Sequence, residues 1–172
     1  MCRTMLKQRV YKATITIQDS IGSLYDECRR GRAYHLQQRL KKCKREKTLK
    51  RDLNRLYLHD GHEISLLMLV LMKGHKECAK LLIKYNIDCG LEDEVCDNIM
   101  HYIVSEWSGS NQEVRDTCKY LMRVVKRRCP QTIVQGSPTP IEHAMNGDDR
   151  TLKQQLMTND ALIYLLNKKH KL

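Results

Sequence analysis

Histidine and cysteine are the residues of this chain with the most chemistry to offer: it holds 7 His and 8 Cys in 172 residues. Imidazole is a general base or metal ligand near neutral pH, and a thiolate is a nucleophile or metal ligand. Neither type falls into a spacing that builds a site. No Cys-x-x-Cys occurs, and the nearest metal-like pattern, His59-x-x-His62, has Cys43 and Cys89 far from it in sequence. Structural zinc sites use tight ligand pairs twice, so no metal is expected. A Gly-rich phosphate loop, Gly-x-Ser-x-Gly, His-Glu-x-x-His and a kinase signature are all missing from the sequence, which removes the common local signs of nucleotide, acyl-transfer and zinc chemistry. The carboxylates gather in stretches that read as loops, with no pair placed across one cleft. The expectation is a protein that binds without catalysing, and without a cofactor.

Charge is the strongest compositional signal. The net charge is +11, from 31 Lys and Arg against 20 Asp and Glu, and it is unevenly spread. Residues 39–55, RLKKCKREKTLKRDLNR, carry nine cations against one Glu and one Asp. Lys41, Lys42, Lys44 and Arg45 form the centre of this patch. It reads as a solvated basic helix face, a nuclear-import signal, or a nucleic-acid contact. Interleaved aromatics to stack bases are missing from it. Charge alone would still give weak, salt-sensitive binding. The opposite sign collects at Asp88, Glu92, Asp93, Glu94 and Asp97.

The elements that must position these groups are clearest in residues 65–92. Residues 66–72, LLMLVLM, are apolar nearly all round, so this helix should lie between neighbours. Lys73-Gly74-His75 breaks it. The helix over 77–85 then sets Cys78, Leu81, Leu82 and Tyr85 on one stripe. A helix with no polar face cannot stand alone, which makes an internal repeat the first thing to seek. Residues 93–104 repeat the start of that pair, with His101 falling 33 residues after Met68 and Asn98 matching Ser65 at the N-cap. Thr139-Pro140-Ile141 offers a further helix start, with Thr at the cap and Pro where its missing N–H costs nothing. Upstream, residues 24–31 have the shape of a first helix and turn, with Tyr25 in the slot of Met68.

On the strength of Gly74-His75-x-Glu77-x-x-Lys80-Leu81-Leu82, Asp88 and Thr139-Pro140-Ile141, the chain resembles the ankyrin-repeat family over most of residues 20–157. The resemblance implies an all-α solenoid of about four degenerate helix-turn-helix units with terminal capping helices. An extension over 1–18 would precede a single domain over 19–172, with units near 20–57, 58–91, 92–130 and 135–172. Equivalent positions are 43, 33 and 41 residues apart, so two units carry insertions, one in the basic linker and one around residues 106–112. His75 and His101 take structural places in the family pattern, bonding turn backbone or a neighbouring cap. The hairpin fingers of the family fall at residues 58–64, turning at Asp60-Gly61, and at 87–96.

Outside this core, the alternation over 11–17 suggests a strand. Asp19-Ser20 offers a cap for a helix over 21–30, followed by one over 33–44 with Leu36 and Leu40 inward. A helix is expected over 114–128, and Asn159-Asp160 offers a cap for a last one over 161–168. No run approaches the roughly 18 apolar residues of a membrane span, and MCRTMLKQRVYK lacks a signal-peptide core. The thiols are therefore expected to stay reduced in cytoplasm or nucleus.

Function in such a stack lies in the residues that decorate its surface. Asp60, His62, Glu63, Asp93, Glu94 and Asp97 are the expected partner-binding residues. Trp107, the single Trp, lies in a polar insertion and is either tucked onto the stack or an anchor for the partner. The short, basic, nearly cap-to-cap form is similar to that of a small ankyrin protein that restrains S phase in early embryos. That resemblance implies a protein partner, a serine/threonine kinase with its regulatory subunit, in a complex that controls DNA replication. An inhibitor of a Rel-type transcription factor and a basic nucleic-acid-binding protein are the alternatives.

Overall fold

A computed structural model describes residues 23–109, 111–136, 138–157 and 167. The strand expected over 11–17, the cap at Asp19-Ser20 and, but for Asn167, the helix expected over 161–168 lie outside the described residues. Among the described residues the chain is mostly helical, with one two-stranded hairpin. It is an all-α protein.

The helices come as pairs. The first is α1 (Leu24–Arg29) with α2 (Ala33–Arg45); the short helix α3 (Leu49–Leu53) and strands β1 (Tyr57–His59) and β2 (His62–Ile64) follow it. The second is α4 (Leu66–Met72) with α5 (Lys76–Lys84), and the third is α6 (Ile99–Glu106) with α7 (Gln112–Arg128). A 3-10 turn, Pro130–Ile133, leads to the fourth, α8 (Pro140–Asn146) with α9 (Arg150–Leu156). Each first helix packs on the next: α1 on α4, α4 on α6, α6 on α8. That order explains α4, whose residues 66 to 71 are all buried. Its apolar surface meets a neighbour on every side, and each fully buried leucine contributes about 2 kcal/mol.

A recurring start defines each pair, and a recurring stop the first two. Ser23, Ser65, Asn98 and Thr139 are the N-caps of the first helices, and in each case the side chain accepts a backbone N–H of the first turn. The third helical residue answers in return: Asp26, His101 and Glu142 accept from their cap's backbone N–H at 3.3, 3.0 and 2.8 Å. In the second pair Met68 offers only a thioether sulfur, 3.4 Å from Ser65 N. At the other end Gly31 and Gly74 close the helices with φ of 68° and 72°, the left-handed region that glycine enters at no steric cost. The same bonds recur at both turns, Gly31 N to Cys28 O and Gly74 N to Leu71 O. A Cβ at Gly31 would lie 2.8 Å from the His75 ring, and one at Gly74 would lie 2.9 Å from Glu113 Cβ. The glycines let each turn nest against the start of the following pair's second helix.

Several boundaries differ from the sequence reading: the first helix, expected over 21–30 from a cap at Asp19-Ser20, starts at Leu24 because Ser23 caps it. The caps Ser23 and Ser65 are 42 residues apart, while Gly31 and Gly74 are 43 apart. Helix α1 is one residue shorter than α4, so Tyr25 matches Met68 near the turn but Asp26 takes its place at the cap. Helix α7 starts at Gln112 rather than 114, because Asn111 Oδ1 accepts from both Glu113 N and Val114 N. The insertion around residues 106–112 becomes the longer connection between α6 and α7.

Cys28, Cys78, Cys89 and Cys118 are buried, whereas Cys96 is exposed. Burial pushes the Cys78 thiol up to about 11, helped by Glu27 and Glu77, and Cys118 up to about 12, helped by Glu106. Cys89 is raised to about 12, again chiefly by burial. At pH 8 such thiols are thiolate in roughly one molecule per thousand or fewer. Native alkylation mapped by mass spectrometry should therefore modify Cys96 and spare these four until denaturant is added. The same shifts set a pH dependence. Their contribution is constant below the ordinary thiol value of 9.0 and is lost between about 9 and 12, because the unfolded chain ionises first.

Candidate protein-binding surface

The first hairpin is built by its turn. Asp60 and Gly61 both have positive φ, 50° and 91°, the geometry of the tight turn that Asp-Gly favours between twisted strands. It sets Tyr57 opposite Ile64, Leu58 opposite Glu63 and His59 opposite His62. Ile64 is buried and anchors the hairpin to the stack, while Leu58 is 60% exposed. Tyr25 stacks on Tyr57 at 5.8 Å, and Arg55 sits 4.4 Å from the same ring on cation–π contact. Tyr25 Oη lies 2.8 Å from His59 Nδ1, and His59 Nε2 lies 3.3 Å from Asp60 Oδ2. Burial raises the Tyr25 pKa, and in the neutral ring that gives Nε2–H to Asp60, Nδ1 is left to accept from the Tyr25 hydroxyl. This chain of contacts holds the turn against α1.

The second loop, between α5 and α6, carries no paired strands beyond one bridge, Glu92 to Asn98. Asp93 shapes it from within. Its Oδ1 accepts from Val95 N at 3.0 Å and Asp97 N at 2.8 Å, and its Oδ2 accepts the Tyr102 hydroxyl at 2.8 Å. Burial and the Asp93 carboxylate together raise the Tyr102 pKa. Asp97 Oδ1 lies 3.7 Å from His101 Nε2. His62 Nδ1 meets Glu94 Oε1 at 2.7 Å and ties the hairpin to the second loop.

Three of the seven expected residues, Asp60, His62 and Glu94, are exposed on the loops that the His62–Glu94 contact joins, whereas Glu63 is half-buried and, paired with Leu58, faces the other side of the hairpin. Asp93 belongs to the same loop as Glu94, but its carboxylate is occupied in holding the loop's shape. Asp97 is half-buried and sits beside His101. Trp107 departs from the set. It is 7% exposed and forms the C-cap of α6, so its indole fills core space and presents no anchor to a partner. The sequence reading missed two exposed apolar residues of these loops, Leu58 and Val95, the latter 68% exposed. Their signal in the sequence was slight, one apolar residue each amid charged loop residues.

The two histidines of the helix-pair pattern bond to backbone. His75 Nε2 lies 3.2 Å from Arg29 O. His101 accepts from Asn98 N through Nδ1 and meets Pro138 O through Nε2, both at 3.0 Å. A Cβ at Gly136 would come within 2.7 Å of the His101 ring, so the loop before α8 lies directly against the imidazole. Asn98 Nδ2 donates to Thr132 O at 3.1 Å from a fully buried position. These bonds lash the third pair to the fourth.

Lys41, Lys42, Lys44 and Arg45 are all exposed along the last turns of α2, where cations suit the negative end of the helix dipole. Tyr34, 69% exposed, and His35 sit edge to face at the start of the same helix. Among the described residues no group of three His, Cys, Asp or Glu is placed to hold a metal ion. Among them, too, no helix is long and apolar enough to cross a membrane. Compared with known proteins, the chain matches no family model, no curated protein and no solved structure.

Proposed function

We propose that this chain is a degenerate ankyrin-repeat stack of about four units that binds a protein partner and performs no chemistry of its own. The recurring cap, helix, glycine turn and second helix support the repeat reading, as does the packing of each first helix on the next. The His62–Glu94 contact carries the binding reading. It joins two successive loops that expose Asp60, Glu94 and Val95. The partner segment it fits is basic, to meet Asp60 and Glu94.

Small size and degenerate repeats make the chain resemble plutonium, a small ankyrin protein of S-phase control. On that resemblance the partner is a serine/threonine kinase with its regulatory subunit, met in the cytoplasm or nucleus. The acidic loops favour a second reading, an inhibitor that masks the basic import signal of a Rel-type transcription factor. The exposed Lys41, Lys42, Lys44 and Arg45 favour a third, direct nucleic-acid binding. A gentle tagged purification from native cells, with mass spectrometry of stoichiometric companions, tests all three. A kinase with regulatory subunits is the expected result. A Rel-type factor would select the second reading, and nucleic acid alone would overturn the protein-binding proposal.

A further inference from the structure

The second helices of the pairs do not all pack alike. Helix α2 packs on α5 and α5 on α7, but α9 stands off from α7 although α6 and α8 remain packed. Helix α9 has 7 residues against 17 for α7, and by itself it covers only part of its neighbour. The space left is a groove of about 620 Å³ lined by Lys119, Met122, Arg123, Lys126, Arg127 and Gln155. The first five are spaced as one stripe of α7. Met122 lies beneath the groove, 1% exposed, so the apolar wall a ligand would meet is made by the aliphatic stems of the cations.

The charge of this groove is one-sided. Among the described residues none of its four cations forms an ion pair. Lys126 Nζ bonds the Gln155 carbonyl, and Arg123 Nε donates to Lys119 O at 3.1 Å. The helix dipole accounts for Lys126 and Arg127, which lie in the last turn of α7. It does not account for Lys119 and Arg123, mid-helix and one turn apart, where like charges repel.

We propose that the groove between α7 and α9 docks an acidic amphipathic segment of a protein partner. Its apolar side chains lie along the aliphatic stems of the cations, and its carboxylates meet Lys119, Arg123 and Arg127. A lining of aliphatic stems without aromatic rings suits such a segment better than a nucleic-acid strand, which asks for stacking platforms. The site is separate from the acidic loops and of opposite sign. One stack can therefore hold a basic segment on its loops and an acidic one on its second helices.

The test uses the full chain and a fluorescein-labelled helical peptide with leucines on one face and glutamates flanking them, read by anisotropy. Lys119→Glu with Arg123→Glu should weaken binding about tenfold, the scale of 1.4 kcal/mol from two reversed exposed charges. Lys119→Gln with Arg123→Gln should give a smaller loss in the same direction. Lys41→Glu with Lys42→Glu, and Asp60→Lys with Glu94→Lys, should change it less than about twofold. Thermal melts check that every variant folds. Equal losses at both basic sites would overturn the proposal, since net charge alone would then hold the peptide. So would equal affinity for a peptide with serine in place of leucine, or displacement of the peptide by oligothymidylate at lower concentration than by unlabelled peptide.

Discussion

Replacing Gly74 by Ala is expected to lower unfolding stability by about 3 kcal/mol. Two costs add. At φ of 72° a residue with a Cβ sits in the left-handed region, at about 1–2 kcal/mol. The new methyl would also lie 2.9 Å from Glu113 Cβ and 3.0 Å from Val114 N. The second of these is backbone at the start of α7 and cannot rotate away, so the third pair must shift, a cost of about 1–3 kcal/mol. Gly61 separates the two contributions. Its φ is 91° but nothing lies within 4 Å of a Cβ there, so Gly61→Ala should lose only about 1 kcal/mol. Buried Trp107, the single Trp, gives a fluorescence signal for urea titrations of both variants. Equal losses at the two glycines would mean that the Gly74 turn does not press on α7.

Asn98→Ala is expected to cost about 3 kcal/mol as well, through polar groups rather than sterics. Asn98 is 0% exposed and works at both ends of its amide. Oδ1 caps α6 by accepting from Met100 N at 2.9 Å, and Nδ2 donates to Thr132 O at 3.1 Å. Losing the cap costs about 1–2 kcal/mol. Leaving the Thr132 carbonyl buried without its donor adds about 1–3 kcal/mol. Asn98→Ser keeps a capping oxygen but cannot reach Thr132, so it should lose about half as much. Ser23→Ala, at a half-buried cap, should cost about 1 kcal/mol. If the Asn98 and Ser23 variants lost the same stability, the bond to Thr132 would contribute nothing.

The parts of the fold legible in the sequence are those governed by local chemistry. Residues 66–72, apolar all round, could only be a helix packed on every side. Thr139-Pro140 marks a helix start and Asp60-Gly61 a hairpin turn, and both stand where they were read. Other features depended on competition between nearby signals. Asn111 sits amid polar residues that looked like loop, yet its side chain starts α7 ahead of the apolar stripe. The short helix α3 arises inside the basic stretch because Leu53 has a buried place to fill. The surface was less legible than the fold. An aspartate that shapes its own loop, as Asp93 does, looks in sequence like one that faces a partner. Trp107 lies in a polar insertion, but the longer connection lets its indole turn inward. The groove beside α7 depends on how far α9 stands off, a tertiary property that no residue pattern announces.

The central claim is that the loop surface joined by His62 and Glu94 recognises a protein. It is tested most directly by native co-purification of three forms of the chain, with the companion measured by quantitative mass spectrometry. One is unchanged, one carries Asp60→Lys, Glu63→Lys and Glu94→Lys, and one reverses Lys41, Lys42, Lys44 and Arg45 to Glu. All substituted residues are exposed or half-buried, so folding should survive, and a melt confirms it. The prediction is a companion protein that is lost about tenfold or more from the loop variant and retained by the other, as reversed charges at a contact require. A companion retained by the loop variant and lost from the basic-patch variant would contradict the claim.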